Sequence, residues 1–116
     1  MTMKFLSPQL HGALDYLAAG ALIVLPMLLG LSGIAFWLSV GGGIGLIAYS
    51  LLTDYRFGAI KLVSFDVHLL LDLAAGAAFI VAPFALGFDS LTSIYYFVMA
   101  AGVIAVVAFT SRAAKA

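Results

Sequence analysis

Two histidines and two aspartates occur in the same pattern at two places in this 116-residue chain. The first is His11-Gly-Ala-Leu-Asp15 and the second is His68-Leu-Leu-Leu-Asp72, and each opens a long apolar segment. A spacing of four places both side chains of a pair on one face of a helix. A carboxylate near the centre of a bilayer costs roughly 2.5–3.5 kcal/mol on insertion scales, and less toward the interface. We therefore expect these groups to face protein rather than lipid.

Three kinds of chemistry fit such pairs. In the preferred interpretation each aspartate accepts a hydrogen bond from its own or the partner histidine and closes one end of a bundle, with no cofactor. Alternatively, His11 and His68 bind a haem, another tetrapyrrole or a metal ion, with the carboxylates as hydrogen-bond acceptors or as direct ligands. The third is a proton or cation path, which is disfavoured because the spans beyond the pairs are apolar and Ser39 and Ser50 are isolated.

The composition narrows the class of protein. Hydrophobic residues make up 66% and charged residues 9% of the chain, whereas soluble domains are about half apolar and a quarter charged. The chain is therefore predicted to be an integral membrane protein. It has no cysteine, which excludes disulfides and thiolate sites. No basic face suggests nucleic acid, and no hydrolase or phosphate-loop motif suggests an enzyme.

The apolar segments predict an all-α domain over residues 1–116 with four transmembrane helices. The spans are expected from about 7 to 30, 34 to 53, 64 to 86 and 91 to 110. Each is long enough for a hydrocarbon core of ~30 Å at ~1.5 Å per residue. Pro26 and Pro83 are expected to kink or loosen the last turns of the first and third spans. Tyr95, Tyr96 and Phe97 are expected to be interface aromatics.

Small residues predict where the helices pack. Gly41 and Gly45 have the GxxxG spacing that allows close approach of two helices in lipid, and Gly102 lies on a similar small-residue face. We expect these glycines to pack inside the bundle rather than to form a notch for a ligand.

The basic residues predict the orientation. In a four-span arrangement all of them lie on one side of the membrane, namely Lys4, Arg56, Lys61, Arg112 and Lys115. The positive-inside rule then places both termini and the middle loop in the cytoplasm.

The two halves of the chain resemble each other. A shift of 57 residues aligns the His-x-x-x-Asp pairs, Pro26 with Pro83, and Gly30 with Gly87. We interpret this as tandem duplication of a two-helix hairpin, with one repeat at about 7–53 and the other at about 64–110. Two such hairpins are related by an axis along the membrane normal. If the first and third spans face each other, all four polar groups converge, whereas the two pairs lie apart if the second and fourth spans occupy the centre.

These motifs resemble the SPW-repeat family of small bacterial membrane proteins. The resemblance rests on His-x-x-x-Asp, an apolar run, a proline-containing tripeptide and Leu-Gly in both halves. The tripeptide is Leu25-Pro26-Met27 in the first half and Ala82-Pro83-Phe84 in the second, so the family's tryptophan is missing from both. The resemblance implies a four-helix bacterial membrane protein and brings little about function.

The predicted function is non-enzymatic. With short loops the chain offers little surface to a soluble partner, so we expect its partners to be the lipid bilayer and other membrane subunits or further copies of itself. A structural or accessory subunit of a membrane complex or homo-oligomer is the leading hypothesis. A haem-, tetrapyrrole- or metal-binding protein using the His-x-x-x-Asp pairs is the alternative, and a proton or cation path comes third.

Overall fold

The computed structural model describes residues 4–111 and consists of four helices in an up-down-up-down bundle. They are α1 (Pro8–Leu28), α2 (Gly33–Leu51), α3 (Phe65–Leu86) and α4 (Ser90–Ala108). Each is long and apolar enough to cross a membrane. Within residues 4–111 the extended pairing is confined to two isolated bridges. The prediction of an all-α bundle with four potential membrane spans is confirmed.

Local signals account for the helix ends. The hydroxyl oxygens of Ser7 and Ser64 accept hydrogen bonds from the backbone N–H groups of the first turns of α1 and α3. Asp89 caps α4 in the same way. These caps satisfy N–H groups that have no partner inside the helix. Gly87 ends α3 with φ +65°, a left-handed conformation that glycine adopts without strain.

The helices pack mainly as two hairpins, α1 with α2 and α3 with α4. The turns of both hairpins lie at one end of the bundle, where they line a shared cavity of about 340 Å³. The α2–α3 linker and the two ends of the described chain lie at the other end, together with Lys4, Arg56 and Lys61. Arg112 and Lys115 of the predicted basic set lie outside the described residues.

The prediction of helix packing through Gly41, Gly45 and Gly102 is wrong within this chain. A Cβ added to any of the three would meet nothing within 4 Å. The close approaches lie elsewhere: a Cβ on Gly43 would be 2.8 Å from the carbonyl oxygen of Ala19 on α1, and one on Gly76 would be 2.8 Å from Ile104 on α4. The GxxxG motif lies in the part of α2 that packs on α1, but the contact is made by Gly43, which lies between the two glycines of the motif.

Pro26 leaves one backbone carbonyl of α1 without its helical hydrogen bond, and a side chain of α2 bonds to that carbonyl instead. The helix α1 continues past Pro26 to Leu28, and because proline has no N–H, the carbonyl of Leu22 lacks its usual partner. The Ser39 hydroxyl on α2 donates to that carbonyl at 2.8 Å. Ser39 is therefore not isolated, contrary to the sequence-based expectation. In α3, Pro83 likewise lies inside the helix, three residues before its end.

Two tyrosines complete a polar layer at the turn end of the bundle. Since the Ser39 proton goes to Leu22, the Tyr95 hydroxyl donates to Ser39 Oγ, 2.6 Å away. The Tyr96 hydroxyl donates to the Ala35 carbonyl at 2.6 Å. The prediction of interface aromatics is wrong for Tyr95 and Tyr96, which are only 6% and 0% exposed, whereas Phe97 is partly exposed. Their hydroxyls join α4 to α2, and we call these groups the turn-end layer.

Candidate functional site

Both His-x-x-x-Asp pairs converge at the linker end of the bundle, as predicted for the case in which α1 and α3 face each other. His11 Nε2 lies 2.8 Å from Asp72 Oδ2, and His68 Nε2 lies 2.6 Å from Asp15 Oδ2. Within each helix the same atoms are 3.1 Å apart for His11–Asp15 and 3.5 Å apart for His68–Asp72. All four side chains are at most 2% exposed. We call them the quartet.

A threonine fixes the outer nitrogen of each histidine. Thr110 Oγ1 lies 2.8 Å from His11 Nδ1, and Thr53 Oγ1 lies 2.8 Å from His68 Nδ1. Each hydroxyl already donates its single proton to the backbone carbonyl four residues earlier. Each threonine oxygen must therefore accept, so Nδ1 of both histidines carries a proton. The Nε2 atoms of both rings face the carboxylates.

The proton content of the quartet follows from these contacts. A nitrogen and a carboxylate oxygen at 2.6 or 2.8 Å need a proton between them, because otherwise two lone pairs would meet. The two cross-helix contacts thus hold one proton each. Whether each proton resides on imidazole or on carboxyl, every His–Asp pair is neutral overall. The quartet buries four polar side chains without a net charge, which avoids the main cost of placing them in an apolar bundle.

Two short extended segments bring the threonines to the histidines. Leu6, just before α1, pairs with Phe109 and Ser111 after α4, and Val63, just before α3, pairs with Leu52 and Asp54 after α2. These contacts correspond one to one at the 57-residue shift that aligns the quartet. Each threonine lies in the middle of such a pairing, next to the first turn of the helix that carries its histidine.

One tyrosine breaks the symmetry of the site. The Tyr49 hydroxyl on α2 donates to Asp72 Oδ1, whereas the residue 57 positions later on α4 is Val106. Asp72 is therefore held by a donor that has no counterpart at the equivalent position for Asp15. Tyr49 also lines a cavity of about 240 Å³ between the hairpins, whose other lining residues are apolar, among them Leu22, Gly42 and Phe79.

The α2–α3 linker covers the quartet. Tyr55 is 3% exposed, and its ring lies 5.5 Å from the His68 ring. It also contacts α1 at Gly12, where a Cβ would come within 2.6 Å of the tyrosine ring. Burial raises the pKa of Tyr55. Its hydroxyl makes no hydrogen bond of normal length, and neither does that of Ser50, although the Ser50 side chain lies close enough to lower the pKa of Tyr55 against the larger effect of burial.

The donor set suits a bare ion better than a tetrapyrrole. Two Nε2 atoms and two carboxylate oxygens lie within 4.8 Å of one another. In bis-imidazole haem ligation a flat macrocycle separates the two histidines. Here carboxylate oxygens occupy the space between the rings, whose centroids are 5.4 Å apart. A metal ion would need only the space at the centre of the four atoms.

Sequence reasoning found the quartet but missed its supporting residues. Thr53, Thr110 and Tyr49 were not singled out, because a threonine or tyrosine at the end of a membrane span is unremarkable by itself. A signal was present, however: Thr53 and Thr110 are identical at the same 57-residue shift that aligns the histidines.

Comparison with known protein families, with curated proteins and with solved structures gave no match to this chain. The resemblance to the SPW-repeat family therefore stays a prediction.

Proposed function

We propose that this chain is a small, non-enzymatic protein of a bacterial cytoplasmic membrane that serves as a structural or accessory subunit of a membrane complex or homo-oligomer. The observation that carries the proposal is the quartet, whose hydrogen bonds are satisfied by the chain itself and run between the two hairpins. A site whose polar groups all find partners within the chain can hold the two hairpins together and needs no substrate. We call the quartet in this structural role the clasp.

The polar contacts between the hairpins support the clasp. His11–Asp72, His68–Asp15 and both histidine–threonine contacts join one hairpin to the other. The turn-end layer joins α2 to α4 at the opposite end. Between the two ends the hairpins line an apolar cavity that is partly open to the outside. Because apolar surface gains little by leaving lipid, directed polar contacts are a main source of association energy for membrane helices.

The same arrangement disfavours a proton or cation path through one chain. A relay needs polar groups that continue across the membrane. Between the quartet and the turn-end layer lie Ala19, Leu22, Leu46, Phe79 and Ala100, all buried and apolar. About seven residues of α1 separate Asp15 from Leu22, which at ~1.5 Å per residue is a gap of roughly 10 Å.

The outer face of α2 supports a role in helix association. Gly41 is exposed with open space around it, whereas Gly45, one turn further along, lines the cavity between the hairpins. The surface open to a neighbouring helix is therefore the one around Gly41. A helix from another subunit or a second copy of the chain can approach closely over such a face.

The clasp can be tested by cutting the linker. A protease site inserted after the exposed Ala59 would separate the two hairpins covalently, since this position lies between α2 and α3. We expect the cut halves of the wild-type chain to co-elute in mild detergent and those of Asp72→Asn to separate. Ser39→Ala, which alters only the turn-end layer, serves as a comparison and should separate less. Halves that stay together equally well in all three proteins would contradict the clasp.

The subunit role can be tested by cross-linking in native membranes. We expect Gly41→Ile to abolish cross-linked species larger than the monomer. Gly20→Ile on α1 is the matched control, because Gly20 is also exposed with open space around it. Loss of the larger species in both variants, or in neither, would argue against an interface on this face of α2.

The orientation can be tested with single cysteines, since the chain has none. Ala59→Cys in the linker and Ser32→Cys in the first turn lie at opposite ends of the bundle and are both exposed. An impermeant reagent added to the periplasmic side should label Ser32→Cys only. Labelling of Ala59→Cys from that side would reverse the proposed orientation.

The correspondences at the 57-residue shift support an origin by hairpin duplication. If the halves are equivalent units, a circular permutant that begins at Val63 and joins Ser111 to Lys4 through a short linker should fold to the same bundle. A permutant that fails to insert or loses the wild-type helicity would count against this inference.

A further inference from the structure

The quartet has the donor atoms of a four-coordinate metal site, arranged around a common centre. Its ligating atoms alternate nitrogen and oxygen around a ring with separations of 2.8, 3.1, 2.6 and 3.5 Å. In a tetrahedral site with bonds of about 2.0–2.1 Å, neighbouring ligand atoms lie roughly 3.3 Å apart. Each of the four neighbouring separations is within about 0.7 Å of that value, whereas the widest separation across the ring, up to 4.8 Å, has to shorten by roughly 1.5 Å before the four atoms surround a tetrahedral ion.

The hydrogen bonds around the quartet hold the ligands in the form that metals bind. Metal-ligating histidines usually donate the proton of their other nitrogen to a fixed acceptor, which orients the ring. The Thr53 and Thr110 hydroxyl oxygens provide that acceptor for His68 and His11. Tyr49 donates to the outer oxygen of Asp72 and leaves Oδ2 directed at the centre.

Charge selects the class of ion. Two carboxylates balance a divalent cation, so the loaded site is neutral, as an apolar surrounding requires. Two imidazole nitrogens favour zinc and its first-row neighbours over magnesium and calcium, which prefer all-oxygen sites. We propose that His11, Asp15, His68 and Asp72 form a binding site for one divalent transition-metal ion of the zinc type. The ion takes the place of the two protons that otherwise join the histidines to the aspartates.

This proposal goes beyond the clasp and is separable from it. The clasp concerns how strongly the hairpins hold together without metal, whereas the metal site concerns what the same four atoms bind. If the cut halves co-elute but the chain binds no metal, the clasp is supported and the metal site is contradicted. If the intact chain binds metal but its cut halves separate, the metal site is supported and the clasp is contradicted.

The test uses the full-length protein in detergent, stripped with a chelator and titrated with Co²⁺. We expect one Co²⁺ per chain, with the visible absorption band of a four-coordinate nitrogen and oxygen site, displaced by Zn²⁺. Asp15→Asn and Asp72→Asn each remove one charged ligand and should weaken binding by more than the roughly 10–100-fold caused by loss of a supporting hydrogen bond. Thr53→Val should fall within that range, and Tyr95→Phe in the turn-end layer should bind as the wild type does.

Folded wild-type protein that gives no Co²⁺ band and retains no metal would overturn the proposal. Unchanged binding in both asparagine variants would also overturn it, because the ion would then lie elsewhere. If the variants do not fold, NMR of the wild type decides the matter. Co²⁺ should shift the imidazole signals of His11 and His68, and unshifted imidazole signals in a Co²⁺-loaded sample would refute the site.

Discussion

The assignment of the histidine protons predicts the effect of removing the threonine oxygens. Thr53→Val and Thr110→Val keep the shape of the side chain but remove the acceptor that lies 2.8 Å from each Nδ1. The buried N–H group then has no partner, because both histidines are 0% exposed. Serine at either position keeps the oxygen and is the matched control.

The expected loss can be bounded from two directions. A buried donor left without an acceptor costs about 1–3 kcal/mol. Hydrogen bonds between membrane helices contribute less on average, about 0.6 and at most about 1.7 kcal/mol, because the unfolded chain in detergent or lipid also finds partners. We therefore expect each valine variant to lose about 1–2 kcal/mol. The two losses should agree closely, since the two histidine–threonine distances are equal.

The assay is reversible unfolding in mixed micelles of mild detergent and dodecyl sulfate, followed by circular dichroism. In parallel, nitrogen NMR of the imidazoles reports which ring nitrogen carries the proton. The wild type should show a proton on Nδ1 of both rings, and the serine variants should keep it. Valine variants as stable as the wild type, with the proton still on Nδ1, would refute the assignment of threonine as the acceptor.

Three further predictions test other contacts. Gly43→Ala should destabilise the bundle by about 1–3 kcal/mol in the same assay, because the added Cβ would meet a backbone oxygen of α1 that cannot move aside. Gly102→Ala is the control and should change stability by less than about 0.5 kcal/mol, because space is open around Gly102. Equal effects would contradict the packing. Tyr49→Phe removes the donor to a quartet carboxylate and should cost about 1–2 kcal/mol, whereas Tyr55→Phe removes an unpartnered hydroxyl and should cost nothing or stabilise; the reverse order would be contrary to the structure. Thr92 donates hydrogen bonds to Asp89 from its side chain and from its backbone N–H, and these bonds lower the pKa of the Asp89 carboxyl from its usual 3.8. The ionised carboxylate therefore stabilises the fold above pH 3.8, and this stabilisation is lost as the pH falls through the lowered pKa. Unfolding measured against pH should show this loss in the wild type, and a profile identical to that of Asp89→Asn would speak against it.

The sequence was sufficient for the helices and for the quartet, for different reasons. In a membrane every backbone group must be paired internally, so long apolar segments have little choice but to form helices. His11 and His68 are recognisable because polar groups are costly in such segments, and the 57-residue shift predicted them at equivalent positions of two helices. Whether α1 and α3 face each other depends on packing across the bundle, which the sequence left open and the structure decides.

The failures have a common physical cause. Gly41 and Tyr95 were assigned from rules that describe a residue's frequency at packed faces or membrane interfaces. Those rules do not state which face of a helix meets its neighbour. In this bundle Gly43 lies against Ala19 of α1. Tyr95 is turned inward, where its hydroxyl contacts Ser39, and Ser39 donates to the Leu22 carbonyl. Such contacts depend on partners on other helices and cannot be read from one segment.

Under the two proposals the quartet is both the contact that holds the hairpins together and a ligand site. In the metal-free chain, two protons hold together two imidazoles and two carboxylates that would otherwise leave lone pairs facing each other. A divalent ion at the same point supplies the same charge and joins the same four atoms, so the change of occupant alters neither the net charge nor the helices that are joined. Thr53, Thr110 and Tyr49 serve both states, because each contacts an outer atom of the quartet and leaves the central atoms free. Removing one of these supporting groups should therefore weaken the metal-free bundle and the metal-bound bundle together, whereas Asp15→Asn should weaken metal binding far more than it weakens the fold. The ratio of these two effects, measured as Co²⁺ affinity against unfolding free energy in the same detergent, separates a ligand from a residue that only holds the helices together.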